Sequence, residues 1–170
     1  MVIMWGRKKI SEKDMLIFLD IDGVLNTSNS FNTKYEIMDD NIAALRELID
    51  RLLKLGYTSK VILTSTWRLG YDSDFDKCSP RIQRLITKLG NVQIRISGVS
   101  PVYKGKTRDV EISRYIRGYE LERTDFNYII LDDDISIFDS MALKGMNFFK
   151  VNQHTGLTAK DVEKIIKLLV

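Results

Sequence analysis

Two aspartates one residue apart close an apolar run near the start of the chain, and a glycine follows at once. The run covers residues 15–19 and ends in Asp20-Ile21-Asp22-Gly23. Five apolar residues bounded by a turn signal predict a buried strand, whose carboxyl end faces the ligand crevice of an open parallel sheet. Carboxylates placed there repel each other and lose water unless a cation or a proton compensates. We therefore expect Asp20 and Asp22 to take part in catalysis or to bind a metal ion.

The composition is that of one ordinary globular domain, with 44% hydrophobic and 29% charged residues in a chain of 170. We expect a single domain over residues 1–170, in which residues 1–13 form a loose N-terminal arm. The single cysteine, Cys78, cannot form an internal disulfide, which favours a reducing compartment, and we expect a cytoplasmic protein. No apolar run approaches membrane-spanning length, so no membrane partner is expected. The net charge of +3 does not by itself indicate nucleic acid.

Strands and helices are predicted to alternate along the chain. After the first strand, apolar or alternating runs predict four more strands, over residues 61–63, 92–96, 128–131 and 148–151. Helical spacing predicts four helices, which begin with an N-cap among residues 39–41, at Ser79-Pro80, near Thr107 or Asp109, and at Thr158. This order predicts an α/β fold, with a Rossmann-like, doubly wound, mostly parallel sheet and helices on both faces.

Polar side chains follow two further core strands. Thr64 and Ser65 follow the second strand, and Asp132 and Asp133 follow the strand predicted over residues 128–131. Because the carboxyl ends of the strands in a doubly wound sheet converge on one crevice, we expect these residues to meet the two aspartates of the first strand. Carboxylates from two strands can hold Mg²⁺, a hard cation that prefers oxygen ligands and leaves room for a substrate phosphate.

A basic loop containing Lys104, Lys106 and Arg108 lies between these strands in the sequence. A lysine or arginine there can balance the charge of phosphoryl oxygens, and a hydroxyl group can donate one more hydrogen bond. One carboxylate can then attack phosphorus while another transfers the proton. The combined set of strand ends and basic loop predicts a phosphoryl-transfer site.

The polar residues after these strands and in the basic loop, in their order along the chain, resemble the four motifs of the haloacid dehalogenase-like (HAD) superfamily. Its first motif is an apolar strand followed by Asp-x-Asp-Gly, and its second is a Thr or Ser at the end of the next core strand. Its third is a Lys or Arg before a helix, and its fourth is an acidic pair after an apolar strand. Local strings further resemble the small HAD phosphatase domains associated with RNA repair proteins. They are Leu63-Thr64-Ser65-Thr66-Trp67-Arg68, Glu111-Ile112 in a predicted helix, Leu131-Asp132-Asp133-Asp134 and Gly156-Leu157-Thr158.

The resemblance implies a role for each aspartate. Asp20 would be the nucleophile that forms an aspartyl-phosphate, and Asp22 would protonate the leaving oxygen and later activate water. Mg²⁺ would bind the Asp20 carboxylate, the Asp22 backbone carbonyl and Asp132, with Asp133 close by.

The same resemblance implies contacts with the phosphoryl group. Thr64 would hydrogen-bond this group, and Ser65 is the alternative. Lys106 is the first choice for the cation of the third motif. Arg108 is the alternative, because spacing does not separate the two within Lys-Gly-Lys-Thr-Arg.

Three more residues lie close to these motifs in the sequence. Gly23 and Arg68 are candidates for substrate binding, although Arg68 could equally pair with an acidic neighbour. Trp67 is expected to pack in the core rather than to bind substrate.

The intervals between the motifs leave little room for an inserted lid. Only residues 27–38 remain between the first motif and the first helix, and residues 69–103 are filled by a predicted helix and strand. We therefore expect no large cap domain and an open cleft that admits bulky substrates.

These residues and the resemblance predict a Mg²⁺-dependent phosphomonoesterase, with polynucleotide ends as one candidate substrate class. The alternatives are a small-molecule phosphatase or nucleotidase, and a non-catalytic module that keeps the metal site. The expected partner is a phosphorylated substrate, with a DNA or RNA end among the candidates. The expected state is a monomer or small homo-oligomer.

Overall fold

The computed structural model describes residues 13–28, 36–118, 127–139 and 146–169. The described strands form one five-stranded parallel sheet in the order β3-β2-β1-β4-β5. They are β1 (Asp14–Leu19), β2 (Thr58–Leu63), β3 (Ile96–Val99), β4 (Asn127–Asp132) and β5 (Phe148–Lys150). The predicted Rossmann-like α/β sheet is confirmed, and every described strand pair is parallel.

Four described helices connect or follow these strands. They are α1 (Asp39–Lys54), α2 (Pro80–Asn91), α3 (Arg108–Gly118) and α4 (Ala159–Leu169). Residues of α1, α2 and α4 join the larger apolar cluster, and residues of α3 join the smaller one. The prediction of helices on both faces of the sheet is therefore confirmed.

β1 is buried along its whole length, as expected for the central strand of a parallel sheet. Its side chains alternate between the two apolar clusters. Ile17 and Leu19 pack in the larger cluster, whereas Leu16 and Phe18 pack in the smaller cluster with α3. Residue 20 continues the second series, so Asp20 lies on the side of the sheet that α3 covers.

The strand predicted over residues 92–96 is wrong. Helix α2 runs to Asn91, and Gln93 follows with a positive φ of 59°. The backbone amide of Ile94 donates to the carbonyl of Leu89 at 2.9 Å. Ile94 therefore lies in the turn after α2, and its side chain is buried there. The alternation of apolar and polar residues therefore comes from a helix end and a turn, and β3 begins only at Ile96.

The helix starts were predicted with mixed success. Ser79 caps α2 by accepting from the amide of Ile82, and Pro80 is the first helical residue, as predicted. The N-cap predicted among residues 39–41 is wrong, because Met38 occupies that position without a side-chain hydrogen bond. Asn41 instead donates to two backbone carbonyls in the loop before α4.

No folded lid interrupts the described residues between the motifs. Residues 20–28 and 36–57 contain α1, and residues 64–107 contain α2, β3 and two short 3-10 turns. The predicted N-terminal arm lies outside the described residues except for Lys13. Within the described ranges, no helix has both the length and the apolar character needed to cross a bilayer.

Candidate active site

Three of the predicted site residues lie side by side at the carboxyl end of the sheet. The register pairs Leu19 of β1 with Leu63 of β2 and Leu131 of β4. The next row along the strands contains Asp20, Thr64 and Asp132. Backbone hydrogen bonds join this row to the sheet. The amide of Thr64 donates to the carbonyl of Leu19 at 2.9 Å, and the amide of Asp20 donates to the carbonyl of Leu131 at 3.0 Å.

The carboxylates in and beside this row form a compact acidic cluster, in which Asp20 and Asp132 are buried and Asp133 is half-buried. Asp20, Asp132 and Asp133 each offer an oxygen, and these oxygens lie within 4.8 Å of one another. Burial, followed by repulsion from Asp132, raises the pKa of Asp20 to about 7. The same two causes raise the pKa of Asp133 to about 6, and burial raises the pKa of Asp132. The cluster therefore favours a neutralising cation.

Arg108 supplies a positive charge directly to this cluster. It is the first residue of α3, and its Nη1 donates to Asp20 Oδ1 at 3.0 Å and to Asp132 Oδ2 at 2.6 Å. Burial opposes the charge of Arg108, but these two carboxylates raise its pKa above the ordinary value. Lys106 is exposed in the loop before α3. Of the two candidate cations, the structure brings Arg108 to the acidic cluster.

Asp22 lies beside the acidic cluster and has different partners. The indole Nε1 of Trp67 donates to both carboxylate oxygens of Asp22, at 3.2 and 3.1 Å. The side-chain Nδ2 of Asn26 donates to Asp22 Oδ1 at 2.9 Å. The sequence motifs assigned neither partner to Asp22, although a buried indole N–H needs an acceptor and Trp67 lies three residues after Thr64.

The hydroxyl groups after β2 are both buried. Thr64 Oγ1 has no hydrogen-bond partner within the described part of the chain, and Thr64 itself is fully buried beside Asp20. Ser65 Oγ accepts from the amide of Trp67 at 3.4 Å, at the start of the 3-10 turn Thr66–Gly70. Thr64 therefore has an unused donor next to the cluster, whereas Ser65 caps a turn.

Arg68 is engaged inside the protein. Its Nη2 donates to Glu111 Oε2 of α3 at 2.6 Å, and its Nη1 donates to the backbone carbonyl of Thr64. The side chain is only 5% exposed. The other oxygen of Glu111 accepts from the amide of Tyr103. Of the two roles considered for Arg68, these contacts favour pairing with an acidic neighbour, which joins the end of β2 to α3.

Gly23 allows Asp133 to approach the first loop. Its φ of 76° is in the left-handed region, and a Cβ at this position would lie 2.4 Å from Asp133 Cγ. Its amide donates to Asn26 Oδ1 at 2.8 Å, which fixes the turn after Asp22. The described contacts of Gly23 thus arrange neighbouring site residues.

A family comparison agrees with this arrangement. The chain matches, over residues 16–162, the family model described as the HAD domain in Swiss Army Knife RNA repair proteins. The chain belongs to this HAD-domain family. No curated protein matches the chain. The matched region of the HAD domain includes the acidic cluster, Arg108, Thr64 and the Asp22 contacts.

The donor set of the HAD domain fits Mg²⁺, which HAD domains typically use. Oxygen ligands are what this cation prefers, and the carboxylates of Asp20, Asp132 and Asp133 converge from the ends of two strands. The guanidinium of Arg108 already bridges two of them, which indicates that the position favours positive charge. The carboxylate of Asp22 is held apart from this set by Trp67 and Asn26.

A polar cleft opens next to the acidic cluster of the HAD domain. It has a volume of about 600 Å³. Its lining is Asp133, Asp134, Lys150, Val151, Asn152, Gln153 and His154. Asp134 is occupied in capping the short turn Ile135–Ile137, where Oδ1 accepts from Ser136. The cleft therefore offers cationic, amide and imidazole groups to a polar ligand beside Asp133.

Proposed function

We propose that this HAD domain is a Mg²⁺-dependent phosphomonoesterase that works through an aspartyl-phosphate on Asp20. The observation that carries the proposal is the surroundings of Asp20. This buried carboxylate lies between a second carboxylate, Asp132, and the Thr64 hydroxyl, which has no partner among the described residues. It also contacts the guanidinium of Arg108. A nucleophile, a proton-transfer group and donors for a phosphoryl group are thus within one strand end and its neighbours.

In the proposed first step, a carboxylate oxygen of Asp20 attacks phosphorus and the bond to the ester oxygen breaks. Asp22 gives its proton to the departing oxygen. Arg108 and Thr64 donate hydrogen bonds to phosphoryl oxygens as their charge develops. Asp132 and Asp133, with Asp20, would hold Mg²⁺, which supplies charge neutralisation when bound.

In the proposed second step, water attacks the phosphorus of the aspartyl-phosphate. Asp22 takes a proton from this water, and the bond between phosphorus and the Asp20 oxygen breaks. Inorganic phosphate leaves, and both aspartates return to their starting states. One carboxylate therefore acts as acid and then as base, while the other is the nucleophile.

The lining of the polar cleft is suited to bind a polar leaving group. Lys150, Asn152, Gln153 and His154 can donate hydrogen bonds to hydroxyl or phosphate oxygens, and the cleft begins at Asp133. With the RNA repair context in the family description, this lining favours a nucleotide or polynucleotide end as substrate. A small phosphorylated metabolite is the alternative substrate. We place the activity in the cytoplasm, in a monomer or small homo-oligomer.

Hydrolysis measurements test the proposal. The substrates are 4-nitrophenyl phosphate, mononucleotides, sugar phosphates, phosphopeptides and oligonucleotides that carry a terminal phosphate, each with Mg²⁺ or EDTA. We expect Mg²⁺-dependent release of phosphate that is lost in Asp20→Asn and kept in the matched control Asp14→Asn. Stronger competition by oligonucleotide 3′-phosphates than by mononucleotides supports the polynucleotide substrate, and the reverse order supports a nucleotidase. Mg²⁺ binding without turnover on any substrate contradicts the proposal and favours a non-catalytic metal-binding module.

A further inference from the structure

We propose that Trp67 is a positioning residue which, together with Asn26, fixes the Asp22 carboxylate so that its Oδ2 transfers the proton. This inference rests on the proposed function, because it assigns a task to residues around the acid–base group of that reaction. The juxtaposition that carries it is an indole N–H from the 3-10 turn after β2 placed against a carboxylate in the loop after β1.

The hydrogen bonds distinguish the two oxygens of Asp22. Oδ1 accepts from the indole of Trp67 and from the side-chain Nδ2 of Asn26, at 3.2 and 2.9 Å. Within the described residues, Oδ2 accepts only from the indole, at 3.1 Å. Because each carboxylate oxygen can accept about two hydrogen bonds, Oδ1 is saturated and Oδ2 keeps one acceptor position. Oδ2 is therefore the oxygen that can carry and release a proton.

Both donors are held rigidly by their own surroundings. Trp67 is only 1% exposed, its backbone amide is held by Ser65 Oγ, and the guanidinium of Arg81 lies 4.4 Å from the centre of its ring. Asn26 is fully buried, and its side-chain oxygen accepts from the amide of Gly23. The Asp22 carboxylate therefore meets two fixed donors, one from its own loop and one from the turn after β2.

Rigid placement matters because the leaving oxygen must receive its proton as the ester bond breaks. A misplaced proton donor costs catalysis even when it is chemically intact. The loss depends on the substrate. Nitrophenolate leaves readily without a proton, whereas an alkyl alcohol needs one. A residue that positions Asp22 should therefore affect alkyl phosphates far more than nitrophenyl phosphate.

The test compares wild type with Trp67→Phe, which keeps the ring but removes the N–H donor. The kcat/KM values are measured with 4-nitrophenyl phosphate, phenyl phosphate and an alkyl monophosphate, and Asp22→Asn serves as the reference. We expect Trp67→Phe to lower the value for the alkyl ester by about 10–100-fold and the value for the nitrophenyl ester by less than about 3-fold. The double variant with Asp22→Asn should be no slower than Asp22→Asn alone.

Arg81→Gln is the control for packing, because it changes the neighbour of the same ring and keeps the N–H donor. We expect the ratios of kcat/KM among the three esters to be the same in Arg81→Gln as in wild type. If Trp67→Phe does not fold, Asn26→Ala removes the other donor. This variant should also lose more kcat/KM on the alkyl ester than on the nitrophenyl ester.

Equal losses on all three esters, or additive losses in the double variant, contradict the positioning role while leaving the proposed function intact. A wild type that hydrolyses none of the esters contradicts the proposed function and this inference with it.

Discussion

The two ends of β1 each hold a buried aspartate, but only one end is balanced in charge. Asp14 at the amino end and Asp20 at the carboxyl end are both 6% exposed. Asp14 pairs with Lys60 of β2, whose ammonium nitrogen lies 2.6 Å from its Oδ2. Asp20 shares the guanidinium of Arg108 with Asp132 and has Asp133 close by as well.

The comparison shows that burial of an acid does not by itself indicate a functional site. A buried carboxylate beside a lysine is an ordinary ion pair, and removing it costs little when the lysine is partly exposed. Three carboxylates around one contacting guanidinium leave excess negative charge among the described groups. Burial, followed by repulsion from this excess, raises the pKa of Asp20, and a divalent cation would neutralise the excess.

The largest difference between the two ends should be in catalysis. Asp20→Asn removes the proposed nucleophile, so kcat should fall by at least about 10³-fold. Asp14→Asn should leave kcat within about 2-fold of wild type and cost about 1 kcal/mol of stability, because Lys60 keeps access to water. Steady-state kinetics and urea unfolding measure the two quantities. Similar activity losses in both variants would mean that the two ends of β1 do not differ in catalytic role.

The next largest effect should come from the cation of the acidic cluster. Arg108→Gln removes the charge that contacts Asp20 and Asp132, so kcat/KM should fall by about 10²–10³-fold. Lys106→Gln is the matched control, because Lys106 is exposed in the same loop, and its activity should change by less than about 3-fold. A larger loss in Lys106→Gln than in Arg108→Gln would assign the third motif to the lysine.

The burial of Asp20 beside other carboxylates should also make the stability of the metal-free protein depend on pH. The unfolded chain releases the Asp20 proton near the ordinary pKa of 3.8, whereas the folded protein keeps it up to about 7. The folded state therefore binds more protons between these values, and its stability falls as the pH rises through this window.

Asp20→Asn removes this contribution. In EDTA at pH 8, the variant should be more stable than wild type by about 1–4 kcal/mol, and the difference should vanish near pH 4. Asp14→Asn should show no such gain at pH 8. Urea unfolding across the pH range provides the measurement, and a gain for Asp20→Asn that does not vary with pH would refute the explanation.

The smallest effects should come from Gly23, which leaves space for the Asp133 side chain. Gly23→Ala and Gly56→Ala both place a side chain at positive φ, which should cost each about 1–2 kcal/mol. Only Gly23→Ala brings a Cβ against Asp133, since nothing lies within 4 Å of the Cβ position at Gly56. Calorimetric Mg²⁺ titration should show an affinity about 10-fold lower in Gly23→Ala and unchanged in Gly56→Ala. Equal affinities would mean that Asp133 does not help to hold the cation.

Much of the fold could be predicted because the central strands are continuous apolar runs. β1, β2 and β4 lie where these runs predicted them, and Ser79 and Thr158 precede the helices they were expected to start. The strand predicted over 92–96 failed because a buried turn residue, Ile94, imitates strand alternation. Short alternating runs do not distinguish these two cases.

The site was less predictable where contacts join distant parts of the chain. Spacing within Lys-Gly-Lys-Thr-Arg could not separate Lys106 from Arg108, since the geometry depends on where α3 begins. Trp67 and Asp22 are 45 residues apart, and only the parallel pairing of β1 with β2 brings them together. Local sequence patterns carry no record of such a contact.

The most direct test of the account is a crystal structure of the protein with Mg²⁺ and beryllium fluoride, a mimic of a phosphoryl group on aspartate. We predict Mg²⁺ at about 2.0–2.1 Å from oxygens of Asp20 and Asp132, with the beryllium bonded to Asp20 and Arg108 turned to its fluorides. An acidic cluster without metal, in which Arg108 still bridges Asp20 and Asp132 at saturating Mg²⁺, would contradict it.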